Sequence, residues 1–143
     1  MMLKTIAYAA PAMLLIALSG CATSPADLRR AGSDHVGSFV VPQDYESTYG
    51  LLLERQRACE QSSLSMGAPL VQGELHPEAH SGSITAATQG VTGIDTHTII
   101  DVRAVDERSA RVTVYSSRYQ PDGYIFRLGK WLIGSRKCYA LPS

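Results

Sequence analysis

Two runs of alternating apolar and polar residues constrain the fold of this chain most strongly. They occupy residues 98–105 and 111–117, and the second run places Val112 and Val114 on its apolar side. The apolar set of the first run is Ile100, Val102 and Ala104. A period of two places alternate side chains on opposite faces of a strand. With the polar link at residues 106–109, the pattern predicts an antiparallel hairpin with one buried face.

Helical spacing appears on both sides of this hairpin. Apolar residues after Pro42 predict an amphipathic helix over residues 43–59, with acidic residues near its start and basic residues near its end. Its apolar stripe is Tyr45, Tyr49, Leu52, Leu53 and Cys59. A second helix is predicted over residues 124–133, where Gly134 can serve as a carboxyl-terminal cap.

The predicted elements assemble into one domain over residues 42–143. Weaker strand patterns at residues 70–75 and 83–89 precede the hairpin and bring the sheet to about four strands. The predicted fold class is α+β, a two-layer structure with an antiparallel sheet and an N-terminal and a C-terminal helix packed on one face.

The first 20 residues have the layout of a cleaved secretory signal. Lys4 precedes thirteen apolar residues at 6–18, too few to cross a bilayer, which needs roughly 20. The stretch closes on Leu18-Ser19-Gly20-Cys21, which resembles the lipobox of the bacterial lipoprotein family. The alternative is a conventional signal peptide with an incidental cysteine.

The resemblance implies a cellular location and a mode of attachment to the membrane. Cleavage would leave Cys21 as the first residue, with a diacylglycerol on its thiol and an acyl chain such as palmitate on its amine. A residue other than Asp at position 22, here Ala22, implies export to the outer membrane. Residues 21–41, rich in Ser, Ala, Gly and charge, are expected to form a flexible lipidated tether that leaves the domain facing the periplasm.

Two cysteines remain once Cys21 carries the lipid. Because the expected compartment is oxidising, Cys59 and Cys138 are predicted to form a structural disulfide. The alternatives are buried free thiols or a single reactive nucleophile.

The charge balance bears on possible partners. Cleavage would remove Lys4 and no acid, leaving 12 Lys and Arg against 13 Asp and Glu, a net charge of −1. Nucleic-acid binding needs clustered basic residues, so no nucleic acid is expected as a partner. The membrane, through the lipid on Cys21, is the first expected partner.

Two patterns offer chemistry and yield alternative functions. His76 and His80 could share a metal on a helical turn, although no third ligand is evident nearby, and an exposed loop is favoured. Asp95 and His97 could serve an envelope hydrolase, but the sequence has no Gly-x-Ser-x-Gly motif and no serine stands out as a nucleophile. Residues 95–97 are interpreted as the start of a strand. We therefore expect no enzyme, no metal and no cofactor.

The remaining prediction concerns a surface. The sheet face opposite the helices would present a mixed patch, in which Arg103, Arg111 and Tyr115 are the candidate partner-binding residues. The other predicted members are Ile99, Asp101 and Thr113. An ordinary solvated sheet face is the alternative, and an edge strand at residues 70–75 could instead accept a partner strand. The order of elements resembles small accessory lipoproteins of Gram-negative outer membranes, including those of β-barrel assembly. The expected function is a non-enzymatic binding or structural role in the cell envelope.

Overall fold

The two alternating runs are neighbouring antiparallel strands of a five-stranded sheet. The structure, a computed structural model, describes residues 24–30, 32–60 and 67–141. The strands are β1 (Val36–Val41), β2 (Ala68–His76), β3 (Ser81–Gly90), β4 (Gly93–Asp106) and β5 (Ser109–Ser116). Their spatial order is β1-β5-β4-β3-β2, and every neighbouring pair is antiparallel. The fold class is α+β, as predicted.

In the part of the chain that the structure describes, three α-helices accompany the sheet: α1 (Pro25–Arg29), α2 (Tyr45–Glu60) and α3 (Pro121–Leu132). Helix α2 begins after Asp44, whose side chain accepts a 2.8 Å hydrogen bond from the Ser47 amide and so satisfies one free donor of the first turn. Helix α3 begins with Pro121, whose missing N–H costs nothing in a first turn. Both helices begin and end within three residues of the predicted bounds. No helix within the described residues is long and apolar enough to span a membrane.

One apolar cluster joins helices and sheet. From the helices it takes Tyr49, Leu52, Tyr124, Leu128 and Trp131, all buried. From the strands it takes Ile84, Ile100, Val102, Ala110, Val112 and Val114. The strand members occupy alternate positions, which confirms that Ile100 and Val102 of the first run and Val112 and Val114 of the second face the core, whereas Ala104 is only partly buried and lies outside the cluster.

Helix α1 lies on the other side of the sheet. A capping box starts it: the Ser24 side chain binds the Asp27 amide, and the Asp27 carboxylate binds back to Ser24. Leu28 is 2% exposed. Arg29 binds Asp101, which alternates with the core residues Ile100 and Val102 and therefore lies on the outer face.

The strand count differs from the prediction because β1 was missed. Residues 36–41 pair along β5 from Val36↔Tyr115 to Val41↔Ala110. The predicted tether over residues 21–41 is thus wrong for α1 and β1, which are ordered on the sheet. Only one side chain of this six-residue strand, Val41, is deeply buried, so the strand has no clear alternation of apolar and polar residues. Its place in the sheet depends largely on backbone pairing to β5.

The turn between β3 and β4 is tight. Val91 and Thr92 lie between the paired residues Gly90 and Gly93. Gly93 has a φ of +120°, a conformation that L side chains rarely adopt and that glycine tolerates. This glycine pattern serves a hairpin, and it places Val91 at the tip of the sheet.

The predicted disulfide is confirmed. Cys59, in the last turn of α2, is bonded to Cys138 in the segment that follows α3, across a sequence separation of 79 residues. The bond ties the end of α2 to the carboxyl-terminal segment. The Trp131 indole supports that segment by donating to the Lys137 carbonyl at 2.8 Å.

We expect the double substitution Cys59→Ser with Cys138→Ser to lower the free energy of unfolding by about 4 kcal/mol, because closure of a loop of this size restricts the unfolded chain. Urea denaturation of the oxidised protein, the reduced protein and the double variant measures it. The reduced protein should match the variant. Equal midpoints for all three samples would contradict a structural bridge.

Candidate functional site: the outer face of the sheet

The outer face carries two arginines directly opposite each other. In the register of β4 and β5, Arg103 faces Arg111, and both side chains are exposed. Like charges in directly opposed positions of a sheet are unfavourable. Within the described residues, neither guanidinium takes part in an ion pair. The pair therefore forms a small basic patch that an acidic group could neutralise.

Helix α1 occupies the neighbouring part of this face. Arg29 binds Asp101 in a two-pronged contact, Nε to Oδ2 at 3.0 Å and Nη2 to Oδ1 at 2.9 Å. Ser83 joins them by donating to Asp101 at 2.8 Å and accepting from Arg29 at 2.9 Å. The hydrogen bonds to Asp101 raise the pKa of Arg29 above its ordinary value. Bidentate pairing of this kind fixes orientation as well as charge.

The predicted patch is therefore divided. Ile99 is 0% exposed on the face that α1 covers, and Asp101 is engaged by Arg29, so neither is free to meet a partner. Thr113 lies within 3.2 Å of the Ser38 hydroxyl of β1. Arg103 and Arg111 stay exposed, as expected. The prediction of an open face is wrong for Ile99 because the sequence interpretation left α1 out.

Tyr115 lies on the same face, four residues along β5 from Arg111 and beyond the Asp101–Thr113 pair. It is half-buried, opposite Ile99 on β4 and Val36 on β1. A surface cleft of about 510 Å³ has both Tyr115 and Arg103 in its wall. Its other charged or titratable lining residues are Arg29, Glu74, His76 and Asp101. The three candidate residues thus lie on one face, with Tyr115 nearer to α1 than the arginines are.

Strand β2 forms one edge of the sheet. Among the described residues it pairs only with β3, so the backbone groups along its other side have no sheet partner there. Pro69 lies near its start, where a missing N–H is tolerated at an edge. The edge position assumed for residues 70–75 is confirmed, and nine residues are available for pairing.

The two histidines weighed as metal ligands lie at one end of the sheet. His76 ends β2, with its Nε2 atom 3.8 Å from Glu74, and His80 follows the short 3-10 helix Pro77–Ala79. The His80 ring packs edge-on against Tyr45 at 5.9 Å. Among the described residues no group of three His, Cys, Asp or Glu side chains could hold a metal.

His97 lies inside the protein. It interrupts the register between β3 and β4, where Ala86 pairs with Thr98 and Ala87 with Thr96. The residue is 4% exposed, its Nδ1 lies 3.1 Å from the Thr98 hydroxyl, and that hydroxyl donates to Tyr124 at 2.8 Å. Burial, with a smaller effect from Arg118, lowers the pKa of His97 to about 4.

The hydrolase arrangement does not assemble around that ring. The Asp95 carboxylate is engaged by Arg118 at 2.6 Å. The Ser117 hydroxyl reaches the His97 backbone carbonyl and not its ring. Residues 95–97 belong to β4, as interpreted from the sequence. The geometry makes His97 a packed core residue whose hydrogen bonds end in Tyr124.

Sequence interpretation missed Arg29 and the helix that presents it. A signal was available: Ser24-Pro25-Ala26-Asp27 has a capping residue, proline in the first turn and an acid three residues on. Five helical residues carry too little periodicity to be found by apolar spacing.

Comparisons with protein-family models, curated proteins and solved structures found no match to this chain.

We expect Asp101→Asn to loosen α1 from the sheet, because one charge of a partly exposed pair is removed. The cost should be below about 1 kcal/mol in free energy of unfolding, as for other surface ion pairs. Hydrogen exchange should show faster exchange of the Leu28 amide, which bonds to the Ser24 carbonyl. Asp106→Asn, on the same strand but away from α1, is the control. Unchanged exchange at Leu28 would contradict the role of the pair.

The buried His97 should make stability fall with acid. Between pH 6.5 and about 4 the unfolded chain binds a proton that the folded protein excludes, so stability decreases as the pH falls through this window. We expect a loss of about 2 kcal/mol between pH 7 and pH 5 from this group. His97→Gln should flatten that part of the curve, whereas His76→Gln should keep it. Denaturant titrations at each pH give the measurement.

Proposed function

We propose that this protein is a lipid-anchored component of the bacterial outer membrane that binds another envelope protein through the basic patch of Arg103 and Arg111. The role is non-enzymatic, and the domain faces the periplasm. We also infer the finer architecture, with α2 and α3 sharing one face of the sheet and the binding patch on the other. The observation that carries the proposal is the cross-strand arginine pair without a carboxylate partner among the described residues.

The proposed address has separate support. The lipobox-like Leu18-Ser19-Gly20-Cys21 lies outside the described residues and supports the proposal as sequence alone. The Cys59–Cys138 bond supports it independently, since structural disulfides persist in oxidising compartments such as the periplasm.

The chemistry of the patch indicates an acidic partner surface. Two guanidiniums on adjacent strands can bind carboxylates in a bidentate way, and Arg is enriched among residues that dominate binding energy. Val40 of β1 lies directly opposite Arg111 of β5 and is 53% exposed. It therefore adds an apolar contact beside the charges. An exposed apolar side chain beside a pair of arginines is a suitable contact for a small interface.

A second mode of binding is favoured by the free edge of β2. A partner strand could add to it by backbone hydrogen bonds along nine residues. Substitution of Arg111 distinguishes the two modes. Binding through the basic patch depends on Arg111, whereas strand addition at the β2 edge does not.

Mass spectrometry of the native protein under non-reducing conditions tests the address. We expect a chain that begins at Cys21, carries diacylglycerol and acyl mass there, and is two hydrogens lighter for the disulfide. A chain that begins upstream of Cys21, or one without acyl mass, would overturn the anchor.

Site-directed crosslinking tests the patch. A photoreactive amino acid at Val40 in living cells should give a protein adduct, and Arg111→Glu should reduce its yield about tenfold, the effect expected for loss of a residue worth about 1.4 kcal/mol. Arg57→Glu, an identical charge change on an exposed position of α2, should leave the adduct intact. An adduct that contains only lipid, or one insensitive to Arg111→Glu, would refute the proposed site.

A further inference from the structure

The amino-terminal end of α1 and the β3–β4 turn lie at the same end of the sheet. A cleft of about 430 Å³ lies between α1 and strands β2, β3 and β4, and its lining includes Ser24 and Pro25 at the start of α1 and Ile94 and Thr96 near the start of β4. Ile94 follows the turn formed by Val91 and Thr92. The chain therefore enters the described domain next to this hairpin, and the β4–β5 turn lies at the far end of the same strand.

The link between this point and the proposed lipid is short. Helix α1 is held on the sheet by Leu28 and by the Arg29–Asp101 pair, and its capping residue is Ser24. Cys21 precedes Ser24 by three residues, which span at most roughly 10–11 Å when fully extended. An acyl group on Cys21 would thus keep this end of the sheet at the membrane surface.

The tip of the β3–β4 hairpin has a composition that favours transfer from water into a membrane surface. Residues 89–94 contain no charged side chain. Val91 is fully exposed at 106%, and Ile94 is 49% exposed. The next charge, Asp95, is neutralised by Arg118 at 2.6 Å. The turn at the far end differs in kind, since residues 106–108 are Asp, Glu and Arg.

We propose that the tip of the β3–β4 hairpin, Val91 with Ile94, is a second membrane contact that inserts into the lipid headgroup region beside the acylated Cys21. The inference rests on the proposed lipid anchor. The acyl chains on Cys21 already supply lasting attachment, and a second contact would fix the orientation of the domain on the bilayer. A lipid surface fits this tip better than a protein partner does, because the tip carries no charge to pair with a partner and lies at the end of the sheet where α1 begins.

Tryptophan fluorescence in vesicles tests the contact with a matched pair of variants. Thr92→Trp and Glu107→Trp each place an indole on an exposed turn residue, at opposite ends of the sheet. The native Trp131 is 1% exposed and gives a constant background. The native, lipidated forms are reconstituted into vesicles of phosphatidylcholine brominated on its acyl chains.

We expect the bromolipid to remove roughly half of the added fluorescence of Thr92→Trp, since interfacial side chains lie about 5–10 Å into the headgroup and acyl boundary. Glu107→Trp should retain its signal. Adding Val91→Asp to Thr92→Trp should restore most of the lost fluorescence, because a charged side chain resists transfer from water.

Vesicle flotation separates the two ways of failing. If the protein floats with the vesicles but Thr92→Trp is not quenched, the hairpin contact is wrong while the anchor stands. If the protein does not float, the lipid anchor itself is wrong, and the hairpin contact is overturned together with it. Equal quenching of both tryptophans would also overturn the proposal, because it would show no preferred end.

Discussion

Burial of β4 on both of its faces is the constraint on which the rest of the structure depends. Ile99 and Ile100 are adjacent, point in opposite directions and are both 0% exposed. Ile100 belongs to the cluster shared with α2 and α3. Ile99 lies on the opposite face, so that face also needs a cover, and α1 provides it. Because β4 is buried on both faces, the residues of α1 are part of the folded domain and not of a linker.

The docked α1 changes how a lipid anchor would act. A flexible linker of twenty residues would leave the domain free to sample many distances and orientations. A link of three residues to a fixed helix would instead orient the sheet, with the β3–β4 turn towards the bilayer. Along β4, nine residues separate Ile94 from Arg103, roughly 30 Å at the usual rise per residue. The two proposals then assign opposite ends of one strand to lipid and to protein.

The parts of the fold that sequence patterns predicted are those with strong periodicity. The strands β4 and β5 have apolar residues at three and two alternate positions, and the helices α2 and α3 have them at helical spacing over about two turns or more. All four elements were placed correctly to within a few residues at most boundaries. The predicted start of β4 was later than the real one, because residues 93–97 are mainly polar and glycine. Strand β1 and helix α1 are too short for such periodicity, so both were assigned to a tether.

Sequence by itself predicted the α+β class and the inward side of each alternating run from local spacing, and it predicted the pairing of Cys59 with Cys138 once Cys21 was assigned to the lipid. It also located Arg103 and Arg111 on an exposed face. Only the tertiary structure decided which part of that face stays open, because α1 packs on β4 and its Arg29 binds Asp101 across a sequence separation of 72 residues. The same long-range contact decided how far the domain can stand from Cys21. Contacts at this separation depend on three-dimensional packing, and no local pattern encodes them.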